Sequence, residues 1–509
     1  MAALFALQLG ALAVTSALNA QTTPAAASSP LRPCCQPSAG SMVLPHATPL
    51  ARDTLPSVGR VLRQPGGIGD ALPVRLQGIA LTASTSGGTL RRPQQPARAD
   101  VGEFRAEGAR RGAWRTAGGA RYRRGREADV AWRNGSDAYL GNAYLWADSV
   151  GGDYRRDELA LDGGVETPSW HGLRAALGLD WGLGQGARRN DPRPLFRRRV
   201  AELAPALTLS RGAHTVAAGA IVGWQREDLE IGGGSSTEFP VLFRLRGIGT
   251  FDRTQLISGQ RSVLGSVMGG QGAWAWGGTR WALAFGGAVR VERDSVRDGI
   301  ATPTDGGATR RLRTDWRLLA RRTGARGGVE VDANAAREEG RGRDPVFAAI
   351  NAIDEGRRES VHLAWWHGGA GARPLDARWR LDLTLSAHTL SREDIAAETA
   401  FDAATRSIML GGTRRVAFGG GALTVSGAGI LTAPENSALT IARPSRITSI
   451  LARDDHTVLT ARQRGMQGVL TWERRLGAEA MGRIRVDGIM LTTPDGLRTR
   501  QWRLTFERS

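Results

Sequence analysis

Residues 377–388 of this 509-residue chain read ARWRLDLTLSAH and alternate between two kinds of side chain. One parity is apolar and the other is charged or polar: Trp379, Leu381, Leu383, Leu385 and Ala387 against Arg378, Arg380, Asp382, Thr384, Ser386 and His388. Because successive side chains of a strand point to opposite faces, the segment predicts a strand with one apolar and one polar face. It is long enough to cross a bilayer as a tilted strand, which needs roughly 9–11 residues. A soluble β-sandwich could use the same alternation. How often the alternation recurs along the chain distinguishes a membrane barrel from a sandwich.

The alternation recurs along most of the chain. In residues 311–318 and 483–490, charged side chains share one parity and mainly apolar ones share the other. Turn signals such as Thr493-Pro494-Asp495-Gly496 separate these runs, and no long stretch has a clean 3.6-residue period. The polar parity of three such strands predicts these lumen-facing residues: Arg311, Arg313, Asp315, Arg317, Arg378, Arg380, Asp382, Arg483, Arg485 and Asp487.

The composition agrees with a membrane barrel. Hydrophobic residues make up 41% and the mean hydropathy is −0.27, as expected when half of each spanning strand is polar. No Pro/Ser-rich linker divides the chain after about residue 100, which favours one β domain over several soluble ones. At roughly 24 residues per strand with its connection, residues 101–509 predict an all-β fold, a single antiparallel transmembrane β-barrel of about 16 strands (range 14–18).

The first hundred residues differ in composition from the rest of the chain. Residues 1–20 are apolar and small and predict a secretory signal peptide, which places the mature chain outside the cytoplasm. Residues 21–100 are rich in Pro and Ala and predict a periplasmic segment, a candidate plug or mouth element. Cys34 and Cys35 are the only cysteines, and their role stays open. Two neighbours without a nearby His do not suggest a metal site, and no cofactor is expected.

The formal charge is +19, and every basic residue is Arg. In a secreted β protein this does not indicate nucleic-acid binding. Guanidinium pairs bidentately with carboxylate and phosphate, so arginines on a lumen would favour anions and arginines on rims would bind lipopolysaccharide phosphates. Solvated strand faces partly neutralised by Asp and Glu would account for the same excess.

Several loop elements resemble a known family. Residues 147–153 read ADSVGGD, Arg156-Asp157-Glu158 follow, and Asn190-Asp191-Pro192-Arg193-Pro194 and Arg246-Gly247-Ile248-Gly249-Thr250 come later. The chain resembles an uncharacterised outer-membrane β-barrel family, a domain of unknown function found in Bacteroidota-type and related bacteria. The resemblance covers the chain from about residue 55. It implies a barrel and an outer-membrane address in a Gram-negative-type bacterium, and no catalytic residues.

Two further segments are candidates for roles in a barrel. The prolines of Asp191, Pro192, Arg193 and Pro194 hold a stiff backbone, which suits a rim or constriction loop and suits an ordinary turn equally. Trp502, Leu504 and Phe506 share one parity close to residue 509 and form a candidate insertion signal. Expected partners are outer-membrane lipid, lipopolysaccharide and the barrel-assembly machinery.

The function expected from the sequence is a porin-like passive channel or a transport-associated barrel for a small solute. The alternative is a structural or secretion-associated barrel that conducts nothing and anchors a partner. A barrel-embedded hydrolase comes third, because Asp454-Asp455-His456 places acidic and histidine side chains together, although no HExxH or G-x-S-x-G motif occurs. We therefore predict that the protein is not an enzyme. The solute, the oligomeric state and whether the lumen is open or plugged are left undecided by the sequence.

Overall fold

Long antiparallel strands make up most of the chain. The computed structural model describes residues 75–136, 138–139, 141–190, 192–232, 241–255, 258–299, 302–368, 377–476 and 480–508. The strands are β1 (Arg75–Gly88), β2 (Arg98–Arg111), β3 (Arg115–Ala128), β4 (Tyr144–Ala147), β5 (Tyr154–Glu166), β6 (Leu173–Arg188), β7 (Arg193–Arg211), β8 (His214–Gly232), β9 (Val241–Arg246), β10 (Phe251–Gln255), β11 (Ser258–Gly277), β12 (Trp281–Asp298), β13 (Thr304–Gly324), β14 (Gly327–Arg343), β15 (Ile350–His367), β16 (Trp379–Asp394), β17 (Thr399–Phe418), β18 (Gly421–Ile441), β19 (Gln463–Arg475), β20 (Met481–Thr492) and β21 (Arg498–Arg508).

Within the described residues, 18 of these strands form one sheet, and β4, β9 and β10 form a separate sheet of three. Each strand of the large sheet pairs antiparallel with the next one along the chain, and β21 pairs with β1. The large sheet is therefore a closed barrel, which leaves no edge to be satisfied in hydrocarbon. The predicted all-β barrel is confirmed, and 18 strands fall at the upper limit of the predicted range.

The candidate insertion residues lie at the seam that closes the barrel. Thr85 pairs with Trp502, Ala83 with Leu504, and Leu81 with Phe506. Trp502 and Phe506 are exposed on the outer face. The last strand therefore contributes both an apolar outer surface and the hydrogen bonds that close the sheet.

The barrel begins earlier than the sequence predicted. Strand β1 starts at Arg75, ahead of the expected boundary at Val101, and β2 starts at Arg98. The prolines that suggested a separate segment, Pro93 and Pro96, lie in the connection between β1 and β2 and interrupt no ladder. Residues 1–74, which include the predicted signal peptide, both cysteines and most of the Pro/Ala-rich segment, lie outside the described residues.

Among the described residues, helix occurs in one connection. Residues between β18 and β19 form α1 (Arg446–Thr448), a π-helical turn (Ser449–Asp454) and α2 (Asp455–Leu459). The side chain of Ser445 caps this segment by accepting the N–H of Thr448 at 3.0 Å. In the described part of the chain, none of the helices has the length and apolar character needed to span a bilayer.

The two ends of the barrel differ. One end, which we call the loop end, carries the long connections 89–97, 129–153, 233–257 and 442–462. The opposite end, which we call the turn end, carries mostly shorter connections, among them the two-residue turns 212–213, 325–326 and 419–420, and one longer connection, 368–378. The start of β1 and the close of β21 also lie there. Five of the eight exposed tryptophans in the described residues lie near the turn end: Trp114, Trp170, Trp281, Trp365 and Trp379. Indoles in such a girdle suit the headgroup zone of a membrane.

The outer face supports a first prediction. Leu385 is 45% exposed on the outer face of β16, and the next residue, Ser386, faces inward opposite Ser360 and Ser407. We expect Leu385→Arg to reduce barrel assembly strongly, because Arg on a lipid face costs about 2–4 kcal/mol at the midplane. The matched variant Ser386→Arg should assemble close to normally. The fraction of heat-modifiable protein measures both, and equal loss in the two variants would contradict the assignment of faces.

Candidate functional site: a loop plug above a charged lumen

The charged residues of β13 that were predicted to face the lumen lie on the inner face of the barrel. Trp316 and Leu318, at the alternate positions, are exposed on the outer face. Each arginine of the set contacts a carboxylate: Arg311 with Glu292 and Glu338 (3.0 and 3.4 Å), Arg313 with Asp315 (3.1 Å), and Arg317 with Asp332 (2.8 Å). These arginines are therefore largely neutralised by neighbouring strands.

The other predicted lumen residues follow the same pattern, with one exception. Carboxylates pair with the arginines of β16 and β20: Arg380 with Asp382 (2.9 Å), Arg483 with Glu473 and Glu507 (2.5 and 3.2 Å), and Arg485 with Asp487 (3.3 Å). Asp382 also accepts a hydrogen bond from Nε2 of buried His362 at 2.8 Å. The exception is Arg378, which precedes β16 and is exposed at the turn end. A strong bias of the lumen toward anions does not follow from arginines that are paired in this way.

The segment from Asp191 to Pro194 lies at the loop end, between β6 and β7. Asp191 falls outside the described residues, and the carbonyl of Pro192 accepts a hydrogen bond from Arg188 at 2.8 Å. Pro194 is buried and paired with Ile231, whereas Arg193 is exposed on the outward parity. The exposed guanidinium thus sits at the rim and does not narrow the lumen.

Four connections at the loop end fold into the barrel mouth. We call the described residues of 89–97, 129–153, 241–255 and 442–462 the plug. Each connection buries large side chains there, among them Leu90, Trp146, Leu245 and Leu451. The small sheet of β4, β9 and β10 joins two of these connections.

Apolar clusters seal the plug against the wall on several sides. The clusters combine plug and wall residues: Val130, Trp146 and Leu242 with Phe196, Leu229 and Ile231; Leu90 and Val458 with Ile430, Val469 and Leu491; Ala452 and Leu459 with Leu390 and Phe401. A fully buried large apolar side chain contributes about 1.5–3 kcal/mol relative to exposure. The plug is therefore packed as a core that belongs to the barrel.

A buried ion pair joins three plug connections at one point. Arg92, which is 0% exposed, donates to both carboxylate oxygens of Asp455 at 2.5 Å each. The Arg92 guanidinium also lies 3.6 Å from the centre of the Tyr139 ring. Burial raises the pKa of Tyr139, so its phenol stays neutral beside the pair. Arg392 of β16 approaches Asp455 at 3.6 Å and connects this point to the wall.

Asp394, at the end of β16, holds the turn between β9 and β10. Its buried carboxylate accepts the N–H groups of Gly249 and Thr250 at 2.8 and 2.6 Å, and the Thr250 hydroxyl at 2.6 Å. Asn351 donates to the same carboxylate at 3.0 Å, from a position where the β14–β15 register shifts. A Cβ on Gly247 would collide with this carboxylate, so the close approach requires glycine there.

Two further ion pairs fix the plug to the wall. Arg246 of β9 donates to both oxygens of fully buried Asp344 at 2.9 Å. Arg188 of β6 donates to Asp148 at 2.8 Å, and both side chains are fully buried. Removing one partner of such a pair leaves an uncompensated buried charge, which typically costs 3–5 kcal/mol.

Tyr144 of β4 packs against the inner face of the wall where β13 and β14 carry glycines. Gly307 has a φ of +111°, and a Cβ there would lie 2.7 Å from the Tyr144 ring. Gly342 on the neighbouring strand faces the Tyr144 hydroxyl. The two glycines thus make room for a plug residue that a larger side chain would exclude.

The Asp454-Asp455-His456 cluster, a candidate for hydrolysis from the sequence, makes structural contacts in the plug. The Asp455 carboxylate is bound to Arg92, Asp454 is exposed, and His456 packs edge-on against Phe401 with ring centres 5.9 Å apart. Burial lowers the pKa of His456. In the residues that the structure describes, no group of three or more His, Cys, Asp or Glu could hold a metal ion.

A family model described as a family of unknown function, DUF6850, matches residues 70–506. This match spans the barrel and the plug together. The chain belongs to the DUF6850 family.

The DUF6850 chain was also compared with curated sequences and with solved structures. No curated protein sequence matches it. Among solved structures, it is similar to the FrpB iron transporter from Neisseria meningitidis, with 10% identity over 85% of this chain and 81% of that one and a TM-score of 0.40. Similar values hold for a FadL homologue from Pseudomonas aeruginosa (9% identity, 89% and 94% covered, TM-score 0.34) and for OccK5 (OpdH) from the same species (10%, 85% and 97%, TM-score 0.37).

Two of the motifs behind the sequence resemblance lie in the plug of this DUF6850 chain. Asp148 belongs to the first motif, and Arg246 to Thr250 form the motif whose turn is bound by Asp394. Sequence reasoning took these motifs for loops and did not find their partners Arg188, Asp344 and Asp394. The sequence signal was the Gly-x-Gly turn at 247–249 after an arginine. Such a turn indicates that another group approaches the backbone closely, but it does not identify that group.

Proposed function

We propose that the protein is an outer-membrane barrel of the transport type, whose lumen is closed at the loop end by the plug until the plug moves. The observation that carries this proposal is the contrast between two parts of the interior. Apolar clusters and buried ion pairs fill the loop end, whereas rows of paired charges line the wall toward the turn end, such as Arg321–Glu330 and Arg380–Asp382. A barrel of this size has room for an aqueous channel unless something fills it.

A barrel closed by a plug differs from the passive channel that the sequence predicted. A permanently open pore would need its mouth clear, but four connections occupy this mouth and are tied to the wall by pairs such as Arg188–Asp148. A small solute would pass only after these ties are rearranged. The paired charges of the lumen support a hydrated path with weak preference between anions and cations.

We place the turn end in the periplasm and the plug at the cell surface of a Gram-negative-type bacterium. Bacterial outer-membrane barrels carry short turns on the periplasmic side and longer loops outside. The two-residue turns and the tryptophan girdle at one end support this orientation. The Bacteroidota-type source and the assembly-machinery partner stay predictions from the sequence.

A non-conducting barrel that anchors a partner is the second candidate. The number of buried ties between plug and wall favours it, because each tie must be broken before the mouth can open.

Single-channel recording in planar bilayers tests the proposal. Arg246→Gln with Asp394→Asn removes two ties of the β9–β10 turn, and Arg406→Gln with Glu435→Gln removes an exposed ion pair as a matched control. We expect brief, rare openings in the unaltered protein and in the control, and larger and longer openings in the tie variant. Steady large conductance of the unaltered protein would contradict closure by the plug. Silence of every variant would favour the non-conducting barrel.

A further inference from the structure

Three arginines stand side by side on the outer wall near the loop end. Arg293 of β12 pairs in register with Arg310 of β13, and Arg310 pairs with Arg341 of β14. All three are exposed on the outward parity. Neighbouring strands lie about 4.8 Å apart, so the row brings three positive charges within about 10 Å along the sheet.

This arrangement is unfavourable for the protein alone. Like charges directly opposite each other on neighbouring strands destabilise a sheet. Some other exposed arginines of the outer wall have carboxylate partners, as Arg226 has Asp228 at 2.9 Å. In the described part of the chain, Arg293, Arg310 and Arg341 have no ion pair with a carboxylate, and Arg343 beside them approaches Asp305 only at 3.9 Å.

The arginines border a depression in the outer wall. Its volume is about 720 Å³, and its floor includes the small residues Ser295 and Ala308. Arg293, Arg310, Arg341 and Arg343 line it, with Leu264 and Ile350 at the two sides. Small residues flanked by long cations leave a concave site in which several guanidinium groups can reach one anionic group.

The surface below the row is apolar. One row closer to the turn end, outward positions of three successive strands carry Met268, Val291 and Leu312. Met268 is 65% exposed. Arginines above and apolar side chains below match a ligand with an anionic head and hydrocarbon chains.

We propose that the row Arg293, Arg310 and Arg341 binds the phosphate groups of a phosphorylated glycolipid in the outer leaflet, of the lipopolysaccharide class. Guanidinium pairs bidentately with phosphate, and the bound phosphates relieve the repulsion within the row. The acyl chains then lie along Met268, Val291 and Leu312. The site rests on the proposed orientation, because this lipid class belongs to the outer leaflet.

Native mass spectrometry of detergent-purified protein tests the site with lipid A as the probe. The site variant is R293Q/R310Q/R341Q, and the control R226Q/R357Q/R406Q removes the same charge from exposed arginines that have carboxylate partners. We expect the unaltered protein and the control to retain lipid A and the site variant to bind it at least tenfold more weakly. Equal binding by the site variant would overturn the proposal, and so would full competition by inorganic phosphate, which would indicate a free-anion site.

A second measurement separates binding from folding. Without lipid, the site variant should unfold at a temperature equal to or above that of the unaltered protein, because like-charge repulsion is removed. Added lipid A should raise the unfolding temperature of the unaltered protein and the control only. A lower unfolding temperature of the lipid-free site variant would assign these arginines a structural role and contradict the proposal. Binding in detergent does not depend on conductance, so failure here is distinguishable from failure of the proposed transport function.

Discussion

A chain that lacks residues 502–509 is expected to lose its heat-modifiable, protease-resistant form completely. This deletion removes most of β21, whose residues pair with both β20 and β1. The exposed N–H and C=O groups of β1 would then face hydrocarbon without partners, at several kcal/mol for each group.

The matched control removes only Arg508 and Ser509. Trp502, Leu504 and Phe506 remain, with their partners on β1, so this chain should assemble like the full-length protein. Electrophoresis with and without boiling, together with protease digestion of outer membranes, measures both chains. Resistant barrels from the chain ending at Gln501 would show that β21 does not close the sheet.

Asp455→Asn is expected to destabilise the plug by about 3–5 kcal/mol, because it leaves the Arg92 charge buried without its counter-charge. Arg92 is fully buried, and its guanidinium also lies against the face of Tyr139. Hydrogen exchange of the amides of 446–459 should rise by roughly 100-fold or more, since each factor of ten corresponds to about 1.4 kcal/mol.

Two controls sharpen this expectation. Asp129→Asn breaks the neighbouring exposed pair Arg91–Asp129, which should change exchange little because exposed pairs contribute about 0–1 kcal/mol. Arg92→Met with Asp455→Leu removes both charges and should cost less than Asp455→Asn alone. Unchanged exchange in Asp455→Asn would mean that this pair does not hold the plug.

The wall of the barrel could be predicted from sequence because its signal is local. Alternation along a strand such as 379–387 states which face each side chain takes, and the structure places Leu381 outside and Asp382 inside as that rule requires. The start of the barrel was missed because Pro93 and Pro96 were counted against the strands on either side of them.

The plug could not be predicted in this way because its contacts join distant parts of the chain. Arg92 and Asp455 are 363 residues apart, and Asp394 binds a turn that lies 144 residues before it. Buried loop residues such as Trp132 and Trp146 follow no period, so nothing in the local pattern separates them from exposed loop residues. The paired state of the lumen arginines was hidden for the same reason, since partners such as Asp332 for Arg317 depend on strand register.

Labelling of a lumen cysteine from outside intact cells tests most directly that the plug closes the loop end. Ser360 lies on β15 and faces the barrel interior, where it is paired with Asn334 and Ser386 on the neighbouring strands. The Ser360→Cys variant is made in a background with Cys34 and Cys35 replaced by Ser. Intact cells are then treated with a maleimide attached to a polymer that is too large to pass through general porins. Val346→Cys, which lies exposed in the 344–349 connection, is the rim control.

We expect Val346→Cys to be labelled in every background. Ser360→Cys should stay unlabelled in the otherwise unaltered protein and become labelled once Arg246→Gln and Asp394→Asn release the β9–β10 turn. Labelling of Ser360→Cys as fast as Val346→Cys with the plug intact would contradict the account.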